Sequence, residues 1–171
     1  MKKILVVLCV MLVASVLFAD APGTAEFTVT TNVSSKAFIG VTTTAYSNPS
    51  ASYTAFTNHP VTAAGDQTLT AYITSYSNNP AGYNIKMSAT AMSTTSTSAL
   101  IHYTVGVNRG NDNFITFATK APYETTIYQS GPLSTTSGNS YPIILSVESE
   151  SYNAATTGTY VGTVTFTYTA N

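Results

Sequence analysis

Apolar and polar side chains alternate with a period of two through most of this chain, and no other feature limits its fold so tightly. Phe27, Val29, Thr31 and Val33 share one face of an expected first strand, with Thr28, Thr30 and Asn32 opposite. The same alternation returns at Ala37, Ile39 and Val41, at Leu69, Ala71 and Ile73, and at Tyr83, Ile85, Met87, Ala89 and Ala91. It continues at Ile101, Tyr103, Val105 and Val107, at Ile143, Leu145 and Val147, and at Tyr160, Val164, Phe166 and Tyr168. Successive side chains of a strand point to opposite faces, so each run reads as a half-buried antiparallel strand.

Turn chemistry separates the runs. Asn48-Pro49, Ala64-Gly65-Asp66, Asn78-Asn79-Pro80, residues 108–113, Gly131-Pro132 and Gly138-Asn139 supply the residues that tight turns need. The Ser/Thr-rich stretches 92–98 and 134–140 read as exposed loops, and no segment has helical periodicity. The runs around 114–119 and 123–128 are apolar on both faces, with Pro122 between them, and read as strands that switch sheets or lie on an edge. About seven or eight strands in about 150 residues point to one all-β domain, an antiparallel β-sandwich.

The N-terminus reads as a leader. Lys2 and Lys3 precede an apolar run from Ile4 to Phe18, roughly 15 residues, where a membrane span needs about 20. Cleavage after Ala19 leaves residues 20–171 as the exported domain; Ala21 is the alternative position. Cys9, the one cysteine, lies inside the run. The exported chain therefore has no disulfide and no thiolate metal site, and its stability rests on its core. Loss of Lys2 and Lys3 leaves four basic against seven acidic residues. This mild acidity gives no support for nucleic-acid or anionic-membrane binding.

Residues that carry chemistry are sparse, with only 8% charged. His102 falls on an outward strand face, His59 precedes Pro60 in a loop, and neither has a partner at metal-ligand spacing. Glu148 and Glu150 lie two apart and share a side of one expected strand. A hydrolase needs such a carboxylate pair, although acids on a strand's solvent face more simply oppose aggregation. Residues 108–113 carry oxygen ligands around Gly110, yet one carboxylate is too little charge for strong calcium binding, and a hairpin connection is expected. No Gly-x-Ser-x-Gly elbow and no phosphate-binding glycine loop occur. No catalytic residue, metal or cofactor is expected. Tyr72, Tyr76 and Tyr128, expected to be exposed, form the possible binding surface for a glycan or a protein.

Two segments carry a family resemblance. The run Gly158-Thr159-Tyr160-Val161-Gly162-Thr163-Val164-Thr165-Phe166-Thr167-Tyr168 resembles the last strand of bacterial pilin-type Ig-like domains. Glu26-Phe27-Thr28-Val29-Thr30-Thr31-Asn32-Val33 resembles the N-terminal strand of the alternate chaperone–usher pilins, the colonisation-factor type. Ala71-Tyr72-Ile73-Thr74-Ser75-Tyr76-Ser77-Asn78-Asn79 and Tyr83-Asn84-Ile85-Lys86-Met87 are similar to a strand, Asn-rich turn and strand of such subunits. The resemblance implies an Ig-like sandwich lacking one strand, which the next subunit's N-terminal segment supplies. It implies a fimbrial-like subunit in the periplasm or at the cell surface, with other subunits or a periplasmic chaperone as partners. Phe27, Val29, Thr31 and Val33 become the donor plugs. The alternative is a self-complete secreted sandwich that binds a glycan or a protein through loops and tyrosines.

Overall fold

The computed structural model describes residues 28–111, 113–121 and 124–171. The expected leader, 1–19, lies outside them. The chain divides into a unit up to Val33 and a unit from Ser34 to Asn171. The second contains, among the described residues, β1 (Ala37–Thr42), β2 (Gly65–Gln67), β3 (Tyr72–Ser77), β4 (Tyr83–Ala89), β5 (Met92–Ser93) and β6 (Leu100–Ile101). After these come β7 (Tyr103–Asn108), β8 (Phe114–Ala118), β9 (Thr125–Gln129), β10 (Ser137–Val147), helix α1 (Ser149–Ala154) and β11 (Val164–Ala170).

The fold is all-β and antiparallel, as the alternation requires. One sheet has the order β1-β3-β10-β7-β8, with β2 paired to the end of β10; a second has the order β11-β4-β9; β5 and β6 form a small hairpin. Tyr83, Ile85, Met87 and Ala89 of β4 are buried and the residues between them are not, as their spacing predicts. They meet Ile73, Tyr103, Val105, Val107, Phe117 and Val147 from the first sheet and Ile127 from the second. Burying such side chains is worth about 1.5–3 kcal/mol each, which is what holds a thiol-free domain together.

Several expectations are corrected. Residues 28–36 form no strand, and Val29 and Val33 are 79% and 72% exposed. Alternation makes a strand only where a neighbour completes its hydrogen-bond ladder. Residues 137–140, read as loop, open the eleven-residue β10, and Met92 is buried in β5. Short hydroxyl side chains hide this strand from a hydropathy reading. Their hydroxyls pair across three strands, Thr42 Oγ1 with Thr74 Oγ1 at 2.7 Å and Thr74 Oγ1 with Ser140 Oγ at 2.6 Å. Buried polar groups are tolerated when so paired. The short helix α1 was not expected. Glu148 precedes it and Glu150 lies in its first turn, so the two acids do not share a strand.

The hairpin at 108–113 is as expected. Arg109 N–H donates to the Asn113 carbonyl at 2.9 Å, and Gly110 and Asn111 take positive φ. Gly82 is also at positive φ, and a Cβ there would collide with the Gly131 carbonyl. Gly82→Ala therefore incurs left-handed strain of about 1–2 kcal/mol before the clash is counted. A drop in thermal midpoint of several degrees is the expected calorimetric result.

Candidate functional site

The hydrogen-bond parity of β11 shows what its edge offers. Thr90 N–H donates to the Thr163 carbonyl at 2.9 Å, and Asn171 N–H to the Gly82 carbonyl at 3.0 Å. Backbone groups in an antiparallel pair alternate sides. Odd-numbered residues of β11 therefore turn their N–H and C=O toward β4, and Val164, Phe166, Tyr168 and Ala170 turn theirs away. Among the described residues, β4 is the one strand paired with β11. The side chains of Val164, Phe166 and Tyr168 point inward and are only half-buried, while Thr165, Thr167 and Thr169 are exposed. The C-terminal strand is thus an edge strand among the described strands. Gly162, just before it, leaves room for an aromatic ring: a Cβ there would stand 3.0 Å from Tyr103 Cε1.

The edge strand β1 lies beside β11. Asn78 N–H donates to the Lys36 carbonyl at 3.0 Å, which turns even-numbered residues of β1 toward β3 and Ala37 and Ile39 outward. Among the described residues, outer pairing begins where the Val41 carbonyl accepts from Phe56 N–H at 2.8 Å and Thr43 N–H donates to Thr54 O at 3.0 Å. One side of the sandwich therefore carries two adjacent edges. Ile39 from one and Val164, Phe166 and Tyr168 from the other lie half-covered between them. Tyr168 closes one end, its hydroxyl donating to Ser77 Oγ at 2.9 Å and its ring stacked 5.1 Å from Tyr83.

The expected binding tyrosines do not form one surface, and none is fully exposed. Tyr72 and Tyr76 lie on the outer face of β3. Tyr76 packs with Phe38, Tyr46 and Tyr53 at centroid distances of 5.4–6.3 Å around the group. Gly40 and Gly138 lie beneath the Phe38 and Tyr46 rings. Tyr128 instead lies between the sheets, 5.2 Å from Tyr83 and 6.0 Å from Tyr141. A register shift in β9 causes this, since a bulge turns both Ile127 and Tyr128 inward.

Burial pushes the Tyr103 and Tyr128 phenols up to about 12; for Tyr128 the neighbouring Tyr83 and Tyr141 add to the effect. The folded state thus holds protons that the unfolded chain loses near pH 10. Stability from these groups is complete below that pH and is lost as pH rises through about 12. Phenolate absorbance followed against pH should show these two phenols ionising late, as pH approaches about 12.

A hollow of about 300 Å³ on the outer face is lined by His102, Thr104, Ala118, Lys120, Ser146 and Glu148. Its charges pair internally, Lys120 Nζ lying 2.8 Å from Glu148 Oε1 and 3.9 Å from Glu150 Oε2. The bond from Lys120 holds the Glu148 carboxyl below its usual range. Ser151 Oγ accepts from His102 N–H at 2.9 Å and donates to the Glu148 carbonyl at 3.3 Å, so it ties the start of α1 to the chain between β6 and β7. His59 stacks on Phe56 in the loop after β1. Among the described residues no group of three His, Cys, Asp or Glu could hold a metal ion, and no helix is long and apolar enough to cross a membrane. Comparison with protein-family models, curated protein sequences and solved structures returns no match for this chain.

Proposed function

We propose that the protein is an exported, non-catalytic structural subunit that accepts a strand beside β11 and donates its own residues 27–33 to another copy. The open edge of β11 carries this reading. In an Ig sandwich one sheet has the order A-B-E-D and the other G-F-C. By order and pairing, β1, β3, β10 and β7 correspond to A, B, E and D, and β4 and β11 to C and F. The position of G, beside β11, has no occupant among the described strands. An extended segment there gains main-chain bonds from the outward groups of Val164, Phe166 and Tyr168 and covers their half-exposed side chains. Val29, Thr31 and Val33 are exposed in a segment without a strand of its own, and their alternation suits that slot. Phe27 lies outside the described residues and joins them by sequence spacing alone. The apolar run 4–18 supports export to the periplasm or cell surface.

The full-length Val29→Asp protein tests this, because its donor is broken and its acceptor edge intact. A peptide of residues 27–33 should bind it and stabilise it by about 2.7 kcal/mol at a hundredfold excess over Kd, which raises its thermal midpoint. The same peptide carrying the aspartate should do neither. Equal behaviour of the two peptides would mean that β11 accepts no specific strand. The glycan-binding alternative rests on the ring group around Tyr76, whose rings pack mainly on one another.

A further inference from the structure

We infer that Asn78 is a positioning residue that sends the N-terminal segment to a second copy and prevents it from closing on its own domain. This rests on the strand-acceptance reading above. A segment tethered to its own acceptor has an effective concentration in the millimolar range, so closure within one chain wins wherever the connection can make the turn. Only Ser34, Ser35 and Lys36 separate Val33 from β1. Filling the slot beside β1 from within the chain requires those three residues to form a tight return.

Asn78 holds them in another shape. Its carboxamide Oδ1 accepts from Lys36 N–H at 2.6 Å, and its Nδ2 donates to the Ser34 carbonyl at 2.9 Å. Its own backbone N–H donates to the Lys36 carbonyl at 3.0 Å. These three bonds extend the β1–β3 ladder beyond the end of β1, so residues 34–36 carry on along the strand. Two-residue hairpin turns need positive φ at their central positions. Asn111 is the only described residue other than glycine with positive φ, and none of Ser34, Ser35 and Lys36 has it. The Asn-rich turn after β3 thereby acquires a task beyond reversing the chain.

The test uses engineered disulfides in the full exported chain. Thr30→Cys is combined in one chain with Thr165→Cys, Thr167→Cys or Thr169→Cys in turn, to sample the register. Oxidation should give intermolecular ladders when Asn78 is present. Asn78→Ala, which removes both side-chain bonds, should raise the share of internally closed monomer about tenfold or more, each tenfold being about 1.4 kcal/mol. Asn78→Asp, which keeps the acceptor for Lys36 N–H and loses the donor to Ser34, should fall between. The double change Ser34→Asn with Ser35→Gly leaves Asn78 in place and installs a hairpin turn, and it should shift the same balance if Asn78→Ala does not fold. A closed fraction unmoved in all these variants, whatever their thermal midpoints, overturns the role of Asn78 and leaves strand acceptance standing. No disulfide at any register, within or between chains, together with no peptide binding, overturns strand acceptance itself and the Asn78 role with it.

Discussion

Tyr83→Ala is expected to destabilise the domain by about 3–5 kcal/mol, the range for removing a fully buried aromatic ring. Tyr83 has no exposed surface, and its ring lies between those of Tyr128 and Tyr168 at 5.2 and 5.1 Å. Its loss opens a cavity where the sheets meet and takes a packing partner from both the Tyr128 and the Tyr168 rings. It also strands the hydroxyl of Ser75, which is buried and 3.2 Å from Tyr83 Oη. For a domain of this size the thermal midpoint should fall by about 10 °C or more. Tyr83→Phe separates the contributions: it keeps the ring and removes one neutral hydrogen bond, so about 1 kcal/mol is expected. Chemical denaturation of both variants provides the check. Equal midpoints for the two would show that the ring packing contributes nothing beyond the hydroxyl.

What the sequence reveals of the fold follows how directly side-chain polarity reports burial. In β4 it does so without interruption, and Tyr83 to Ala89 could be read as a strand with its inner face assigned. In β9 the bulge adds a residue to one strand, so the inward turn of Tyr128 leaves no trace in a strict alternation. In the first half of β10 the strand is held by hydroxyl pairs, and serine and threonine look alike whether paired in a sheet or solvated in a loop. The acids at 148 and 150 looked like strand neighbours because two-residue spacing does not exclude a helix start. For the candidate site, the sequence identified the alternation of both 27–33 and 164–168. It could not say that β11 has one neighbour among the described strands, because alternation reports which face is covered and is silent on which edge is paired. The part played by Asn78 was equally hidden, since its bonds reach main-chain atoms 42 and 44 residues away.

Val29→Asp should abolish assembly while leaving the subunit's stability unchanged. Val29 is 79% exposed, so a carboxylate there meets water and substitution at such a site typically moves stability by less than about 0.5 kcal/mol. The side chains bordering the slot beside β11, Ile39, Val164, Phe166 and Tyr168, pack against the core and carry no charge that could pair with a carboxylate. Burying an unpaired charge costs several kcal/mol even after relaxation, and each 1.4 kcal/mol is tenfold in affinity. A loss of a thousandfold or more is therefore expected in native mass spectra or sedimentation, at an unchanged thermal midpoint. Phe166→Ala is the complementary change on the acceptor. Its ring is only half-buried in the lone subunit, so its cost there should fall well short of the 3–5 kcal/mol of a fully buried ring. Most of the penalty should appear once a donor strand covers it, as weaker binding of the 27–33 peptide. A protein in which Val29→Asp lowers stability and leaves the oligomeric state untouched would be a self-complete sandwich whose first strand stays at home.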